Sequence, residues 1–216
     1  MITSTARLEE VLENFRSGQS NLMLGTQMLV KGHDFPGVTL VVVILADGLF
    51  RWPDFRATER AFQVLKQVSG RAGRGEKAGR VMIQTFNADH PVISALKGNI
   101  SEDELLREDQ ELRKALSYPP YGRMARLRVE SPDQAEARSR AQFLAQAVGD
   151  LFSPSELEIL GPSEAFLERA KGIFRWDLLV KSKEIRPLQK VVFTAKELSN
   201  QRKWSLLVDV DPYGGG

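Results

Sequence analysis

Val38-Thr39-Leu40-Val41-Val42-Val43-Ile44-Leu45-Ala46 is the stretch that decides the fold class. The run is almost wholly apolar and rich in valine, which reads as a strand buried on both faces in the middle of a parallel sheet. Upstream, Leu8, Leu12 and Phe15 fall at helical spacing and predict a helix over residues 5–17, with Gly18 as its stop. Asn21–Leu24 reads as a short strand ending at Gly25. Downstream, Gly48 and Pro53 punctuate a predicted loop over Asp47–Asp54. Ala57–Val68 reads as a helix with Ala61, Phe62, Val64, Leu65 and Val68 inward, and Gly79–Thr85 as another strand. Strands alternating with helices indicate an open α/β parallel sheet flanked by helices, over residues 1–98. Only about three strands are legible, fewer than a complete lobe of this type needs, so the chain is expected to begin inside a domain.

Residues 99–121 read as a connector. A charged helix over Ser101–Leu116 is broken by Ser117-Tyr118-Pro119-Pro120-Tyr121. Residues 122–216 then give strand (Met124–Glu130), helix (Pro132–Leu151), strand (Glu158–Gly161, extending toward Phe166), strand (Ile173–Lys181), helix (Pro187–Asn200) and strand (Trp204–Val210). In the first of these, Leu127 and Val129 alternate with Arg126, Arg128 and Glu130, as in a sheet with one wet face. This βαββαβ order is the α+β ferredoxin-like pattern.

Composition narrows the function. Of 216 residues, 42% are hydrophobic and 27% charged, the balance of a globular chain with a real core. No apolar run is long enough to span a membrane, and the N-terminus lacks the basic and apolar parts of a signal peptide, so a cytoplasmic chain is expected. Cysteine is absent and there are two histidines, His33 and His90, so disulfides and thiolate zinc sites are excluded within the chain and no metal site is expected. The net charge of +2 is unevenly distributed. Residues 1–98 carry 12 Lys and Arg against 9 Asp and Glu, and Lys66, Arg71, Arg74, Lys77 and Arg80 face Glu76 alone. A second basic stretch holds Arg169, Lys171, Arg175, Lys181, Lys183, Arg186 and Lys190. Such stretches are either solvated faces or phosphate-binding surfaces.

Two clusters carry chemistry. Gly25-Thr26-Gln27-Met28, followed by Lys31-Gly32-His33-Asp34-Phe35-Pro36, sits at the carboxyl end of one predicted strand and before the next, where ligands sit in open α/β sheets. The same residues also suit a turn-rich connection capped by Asp34. In Gln67-Val68-Ser69-Gly70-Arg71-Ala72-Gly73-Arg74-Gly75, Arg71 and Arg74 share a face if the segment is helical. Two guanidiniums suit phosphate oxygens, whose geometry the planar fork matches. Pairing with surface carboxylates is the other reading.

Together the clusters are more specific. A glycine-threonine strand end and a Q-x-x-G-R-x-x-R segment after an amphipathic helix resemble motifs V and VI of superfamily 2 helicases. The wording Gly25-Thr26-Gln27-Met28-Leu29-Val30-Lys31-Gly32-His33-Asp34-Phe35-Pro36, then Pro53-Asp54-Phe55-Arg56-Ala57-Thr58-Glu59-Arg60, then Gln67 to Arg74, resembles the replication-restart helicases of the PriA family, also called primosomal protein N-prime. Tyr118-Pro119-Pro120-Tyr121, Gly161-Pro162, Phe174-Arg175-Trp176 and Val208-Asp209-Val210-Asp211-Pro212 resemble its last domain.

The resemblance implies an incomplete RecA-like lobe 2 followed by a DNA- and partner-binding domain over residues 122–216. It implies a catalytic arginine finger at Arg74, with Arg71 and Gln67 beside it, and nucleotide-side positions at Gly32, Asp34 and Gly70. Gly25 and Thr26 would face the DNA backbone, and Lys181, Lys183, Arg186 and Lys190 of the last domain would add phosphate contacts. It further implies ATP-dependent 3′-to-5′ helicase activity at stalled replication forks, with ATP and Mg²⁺ bound mainly by another lobe. Implied partners are forked and single-stranded DNA, the acidic tail of single-stranded DNA-binding protein and other primosome proteins, around a monomer. The departures matter equally. The chain has no G-x-x-x-x-G-K-[ST] phosphate loop, no Asp-Glu box for Mg²⁺ and none of the family's zinc-binding cysteines. It is therefore expected to be ATPase-inactive alone, as the C-terminal part of a helicase or as a binding module. A nucleotide-dependent metabolic enzyme is disfavoured for want of a complete phosphate loop.

Overall fold

A computed structural model describes residues 5–26, 35, 37–52, 54–72 and 79–212. Backbone packing divides the chain into two units, Met1–Arg51 with Ala57–Leu105, and Trp52–Arg56 with Leu106–Gly216.

The first unit begins with helix α1 (Thr5–Arg16), whose Leu12 is buried. Strands β1 (Leu40–Val43) and β2 (Arg80–Ile83) pair in parallel, with Leu40 opposite Arg80 and Val43 opposite Ile83. Between them run the short helix α2 (Asp47–Phe50) and helix α3 (Ala57–Ser69). Helix α4 (Pro91–Leu96) follows, and α5 (Glu102–Ala115) crosses the division between the units. Ala61, Phe62 and Leu65 of α3 form the core with Val92, Ile93 and Leu105, and Val43, Ile83, Leu49 and Phe50 pack against it. The helical spacing of residues 61, 62, 65 and 68 is thus realised, while Val64 is only half-buried.

Three expectations change here. Asn21–Leu24 forms no strand, and Leu22 and Leu24 are exposed. The valine-rich run gives a strand of four residues, not one buried on both faces: Leu40 and Val42 are each 51% exposed, and Met82 and Phe86 are more so. The reason is layering. Val43 and Ile83 meet the helical core, while the described residues supply no second layer for the opposite face. Asp47–Phe50 is helical rather than a loop, because Asp47 accepts the Arg51 N–H through its carbonyl and closes a turn. Helix α4, which hydrophobic spacing alone did not mark, starts on Pro91 with His90 as its N-cap.

The second unit contains β3 (Arg123–Ser131), α6 (Gln134–Gly149), β4 (Glu158–Ala170), β5 (Ile173–Ser182), α7 (Ile185–Arg202) and β6 (Ser205–Val210). The sheet runs β4-β5-β3-β6 with every neighbouring pair antiparallel. Residues of one parity on β3, Ala125, Leu127 and Val129, join Leu178 and Val180 of β5 under α6 and α7, whose Ala141, Leu144, Val148, Leu188, Val191 and Ala195 complete the core. The other parity forms an ionic ladder. Arg126 pairs with Asp209 at 2.9 Å, Arg128 with both oxygens of Asp177 at 2.7 and 2.9 Å, and Arg175 with Glu130 at 2.9 Å. The period of two read in Arg126, Arg128 and Glu130 is therefore the ladder itself. Register shifts interrupt β4 between Leu160 and Ser163 and between Glu164 and Arg169, which bends this long strand away from simple pairing.

Candidate functional site

The Gln67–Arg71 segment begins on the last turn of α3, where Val68 is buried. The helix ends at Ser69. Beyond it the Gly70 N–H donates to the Lys66 carbonyl at 3.0 Å, and the Arg71 N–H to that of Val68 at 3.0 Å. Gln67 and Gly70 are left exposed and Arg71 half-buried. A Cβ on Gly70 would make only ordinary contacts, 3.6 Å from the Lys66 carbonyl oxygen, so no close approach requires glycine there. The helical-face argument for Arg71 does not hold, since Arg71 lies two residues past the helix end. Arg74 lies outside the described residues, as do Gly32 and Asp34. Gly25 and Thr26 are exposed in irregular backbone.

The carboxyl ends of β1 and β2 are tied together. The Ala46 N–H donates to the Gln84 carbonyl at 2.9 Å, and the Leu45 N–H to the Gln84 side-chain oxygen at 3.2 Å. The buried Asp47 carboxylate accepts the Thr85 hydroxyl at 3.1 Å and the Phe86 N–H at 3.1 and 3.2 Å. Burial pushes this carboxyl up, but the bonds from Phe86, Thr85 and its own N–H, with the Arg51 charge, together hold it below its ordinary value. His90 stacks on Phe50 with ring centres 4.0 Å apart and accepts the Val92 N–H at Nδ1, 3.2 Å away. Burial lowers its pKa, and the Asp47 charge offsets part of that. These groups brace the edge where ligands approach a parallel sheet.

In the second unit the four sequence-derived cations separate. Lys181 is buried: its ammonium donates to the Leu116 carbonyl at 3.0 Å, pairs with Glu158 at 2.9 Å and lies 4.6 Å from the centre of the Tyr118 ring. It belongs to internal packing, which corrects its assignment to a DNA-facing surface. Lys183, Arg186 and Lys190 are exposed, and Lys190 lies over Phe152. Arg175 is engaged with Glu130, and Trp176 packs against the core with Arg138 over its ring. Sequence reasoning missed Phe193, 63% exposed on α7 and one turn from Lys190. Its separation from the inward Val191 and Ala195 is the signal that marks it as outward. In the stretch Leu49–Trp52, Leu49 and Phe50 pack in the first unit, whereas Trp52 meets Phe166 at 5.2 Å between ring centres. Among the described residues no three His, Cys, Asp or Glu side chains group as metal ligands, and no helix is long and apolar enough to cross a membrane.

Comparison with known proteins gives two family matches, one in each half of the chain. Residues 3–76 match the helicase conserved C-terminal domain, and residues 114–213 match the primosomal protein N C-terminal domain. Replication restart protein PriA of Synechocystis sp. is 41% identical over 206 residues, which cover 94% of this chain and 24% of that protein. The proteins of the same name from Haemophilus influenzae and Bacillus subtilis are 36% and 37% identical, over 95% of this chain in each case and 28% and 26% of their own lengths. The chain thus spans about a quarter of the length of these relatives. With both matches C-terminal by description and one protein name recurring along nearly the whole chain, the chain belongs to the PriA family of replication restart proteins and represents its C-terminal part.

Proposed function

We propose that this chain supplies the second-lobe wall and the last domain of an ATP-dependent DNA helicase that moves 3′ to 5′, recognises stalled forks and assists primosome assembly. The observation that carries the reading is the Gln67-x-x-Gly70-Arg71 segment at the end of α3, inside the stretch that matches the helicase domain. In this reading residues 1–98 are partial lobe 2, residues 99–121 connect, and residues 122–216 bind DNA and partners. The apolar face of β1 and β2 that the described residues leave uncovered is where the rest of the lobe packs, since an exposed apolar face calls for a second layer. The last domain is ferredoxin-like. Supporting this, its first and third strands, β3 and β5, are adjacent and central, with β4 and β6 outside.

The fit to ATP rests on Gln67, Gly70, Arg71 and Arg74, with Gly32 and Asp34 on the nucleotide side. When bound, ATP supplies the γ-phosphoryl whose transfer drives the motor. The chain's own part is to present guanidiniums across the cleft, where they stabilise negative charge developing on that group. A loop lysine and the carboxylates for Mg²⁺ come from elsewhere in the protein, because the sequence has no matching motif. Zinc does not fit this chain, which lacks cysteine and has no ligand cluster among its described residues, and is assigned to the remainder. Gly25 and Thr26 face the DNA backbone, and Lys183, Arg186 and Lys190 bind phosphates of forked or single-stranded DNA, a surface the acidic tail of single-stranded DNA-binding protein shares.

The test is DNA-stimulated phosphate release by the full-length protein. Arg74→Ala is expected to lower turnover by ~10³–10⁵, and Arg74→Lys to rescue little, because an ammonium lacks the planar fork. Near-normal turnover with Arg74→Ala would move the finger to Arg71.

A further inference from the structure

The ladder face of the second unit is not flat. It encloses a cavity of about 500 Å³ lined only by residues of that unit. Met124, Leu160 and Leu179 give it an apolar floor. Aromatic rings stand at two places on its wall. Phe55 and Tyr118 are stacked 5.6 Å apart and within 10° of parallel. Phe166, 63% exposed, leans on Trp52. The Trp52–Arg56 segment is held there by Arg56, whose guanidinium donates to the Pro212 carbonyl.

The charges of the wall decide what fits. Its one cation, Arg126, is paired with Asp209, so a phosphate would find no open guanidinium and would meet carboxylates. Asp54 is paired with Arg56 at 3.2 Å, and Asp177 with two nitrogens of Arg128, so a cationic side chain finds little net negative charge either. Two open acceptors remain, the Ser163 hydroxyl and the Glu164 carboxylate, which has no ion-pair partner among the described residues. An apolar lining, the exposed ring of Phe166 and a few acceptors suit a planar, neutral group that carries N–H donors. Beyond Phe166, the exposed Arg169 and Lys171 offer cations outside the cavity.

We propose that this cavity receives one unpaired base of a single strand, preferring bases with an exocyclic amine (adenine, cytosine or guanine) over thymine, with the adjoining phosphates outside near Arg169 and Lys171. Stacking on Phe166 supplies sequence-tolerant attraction, and Ser163 and Glu164 accept from the amine. The inference rests on the DNA-binding reading above but uses a different surface, because α7, which carries Arg186 and Lys190 and begins two residues after Lys183, packs on the opposite face of the sheet.

The test is fluorescence anisotropy of the full chain with short labelled strands of dA, dC or dT and with an abasic strand of equal length. Two variants probe the pocket, Phe166→Ala, which removes a wall, and Leu160→Trp, which fills the floor. Both residues are partly exposed, and circular dichroism checks each fold. Each variant is expected to weaken dA and dC binding roughly fivefold to a hundredfold. The abasic strand is expected to bind wild type weakly and to be unaffected by either variant. Unchanged dA binding in both folded variants overturns the pocket, as does an equal loss for the abasic strand. Displacement of dA by an arginine-rich peptide, with dA, dT and abasic strands bound alike, also overturns it in favour of a cationic occupant. If all strands bind alike and only charge reversal of Lys183, Arg186 and Lys190 weakens them, the pocket fails and the DNA reading stands. If no strand binds, both fail.

Discussion

At the scale of single residues, local chemistry sets what each position tolerates. His90 caps α4 through Nδ1, which requires a neutral imidazole with its proton on Nε2. Burial lowers its pKa from the ordinary 6.5. As pH falls through 6.5, the unfolded chain takes up the proton first, so the contribution is complete above that value and is lost below it. Urea unfolding followed by circular dichroism should show the first unit weakening as pH drops below 6.5. His90→Asn keeps a capping acceptor without a titrating ring and should flatten that slope. Gly122 is constrained by space alone. A Cβ there would overlap the Ser117 carbonyl and lie 3.3 Å from that of Ser182. Gly122→Ala is expected to cost about 1–3 kcal/mol, measured by the same unfolding experiment. Lys181 shows how a residue escapes sequence reading. It sits in a basic stretch, yet its partners Leu116, Tyr118 and Glu158 lie far away along the chain, and no local pattern announces them.

At the scale of elements, the helix α3 and the strand β3 make opposite points. The apolar spacing of α3 is local, so its core face was legible, and so was its end near the first glycine of the cluster. Arg71 falls beyond that end, so its position depends on turns that spacing does not encode. In β3, alternation revealed two faces but not that the polar one is closed by ion pairs. Arg128 and Asp177 form a bidentate pair with Arg128 only 7% exposed. Removing Arg128 leaves the part-buried Asp177 carboxylate without its ion partner. Arg128→Met should therefore destabilise the second unit by about 1–3 kcal/mol. The double variant with Asp177→Leu should recover most of that loss, because two apolar groups restore balance. A double-mutant cycle by chemical denaturation measures the coupling, and a double variant as unstable as Arg128→Met alone would contradict it.

At the scale of the whole molecule, the proposed function makes this chain one side of a two-sided machine. The isolated chain is expected to release no phosphate from ATP, with or without DNA, because no phosphate loop is present. Robust hydrolysis by the chain would refute the proposed division of labour. DNA binding by the chain should be weak and salt-sensitive. Charge reversal of Lys183, Arg186 and Lys190 should reduce the log–log salt slope by about 2, the value for three phosphate contacts on a single strand. The same reversal at Lys181 should instead unfold the second unit, since it would set a carboxylate beside Glu158 and the Leu116 carbonyl.

The sequence by itself determined the βαββαβ succession of the second unit, the core face of α3, and the motifs that point to a helicase family. These depend on periodicities of two and 3.6 residues and on local residue order, and both are properties of short stretches. It overstated the burial of Val38–Ala46, because an apolar run records what a strand needs and not which layers are present. Only the tertiary structure decided the strand order β4-β5-β3-β6, the ion pairs of the ladder, the internal role of Lys181 and the placing of Trp52–Arg56 against the second unit. Each depends on contacts between residues far apart in the chain, such as Arg56 with Pro212 across 156 positions. Their formation depends on which faces remain to be covered once the local elements exist, and no short stretch contains that information.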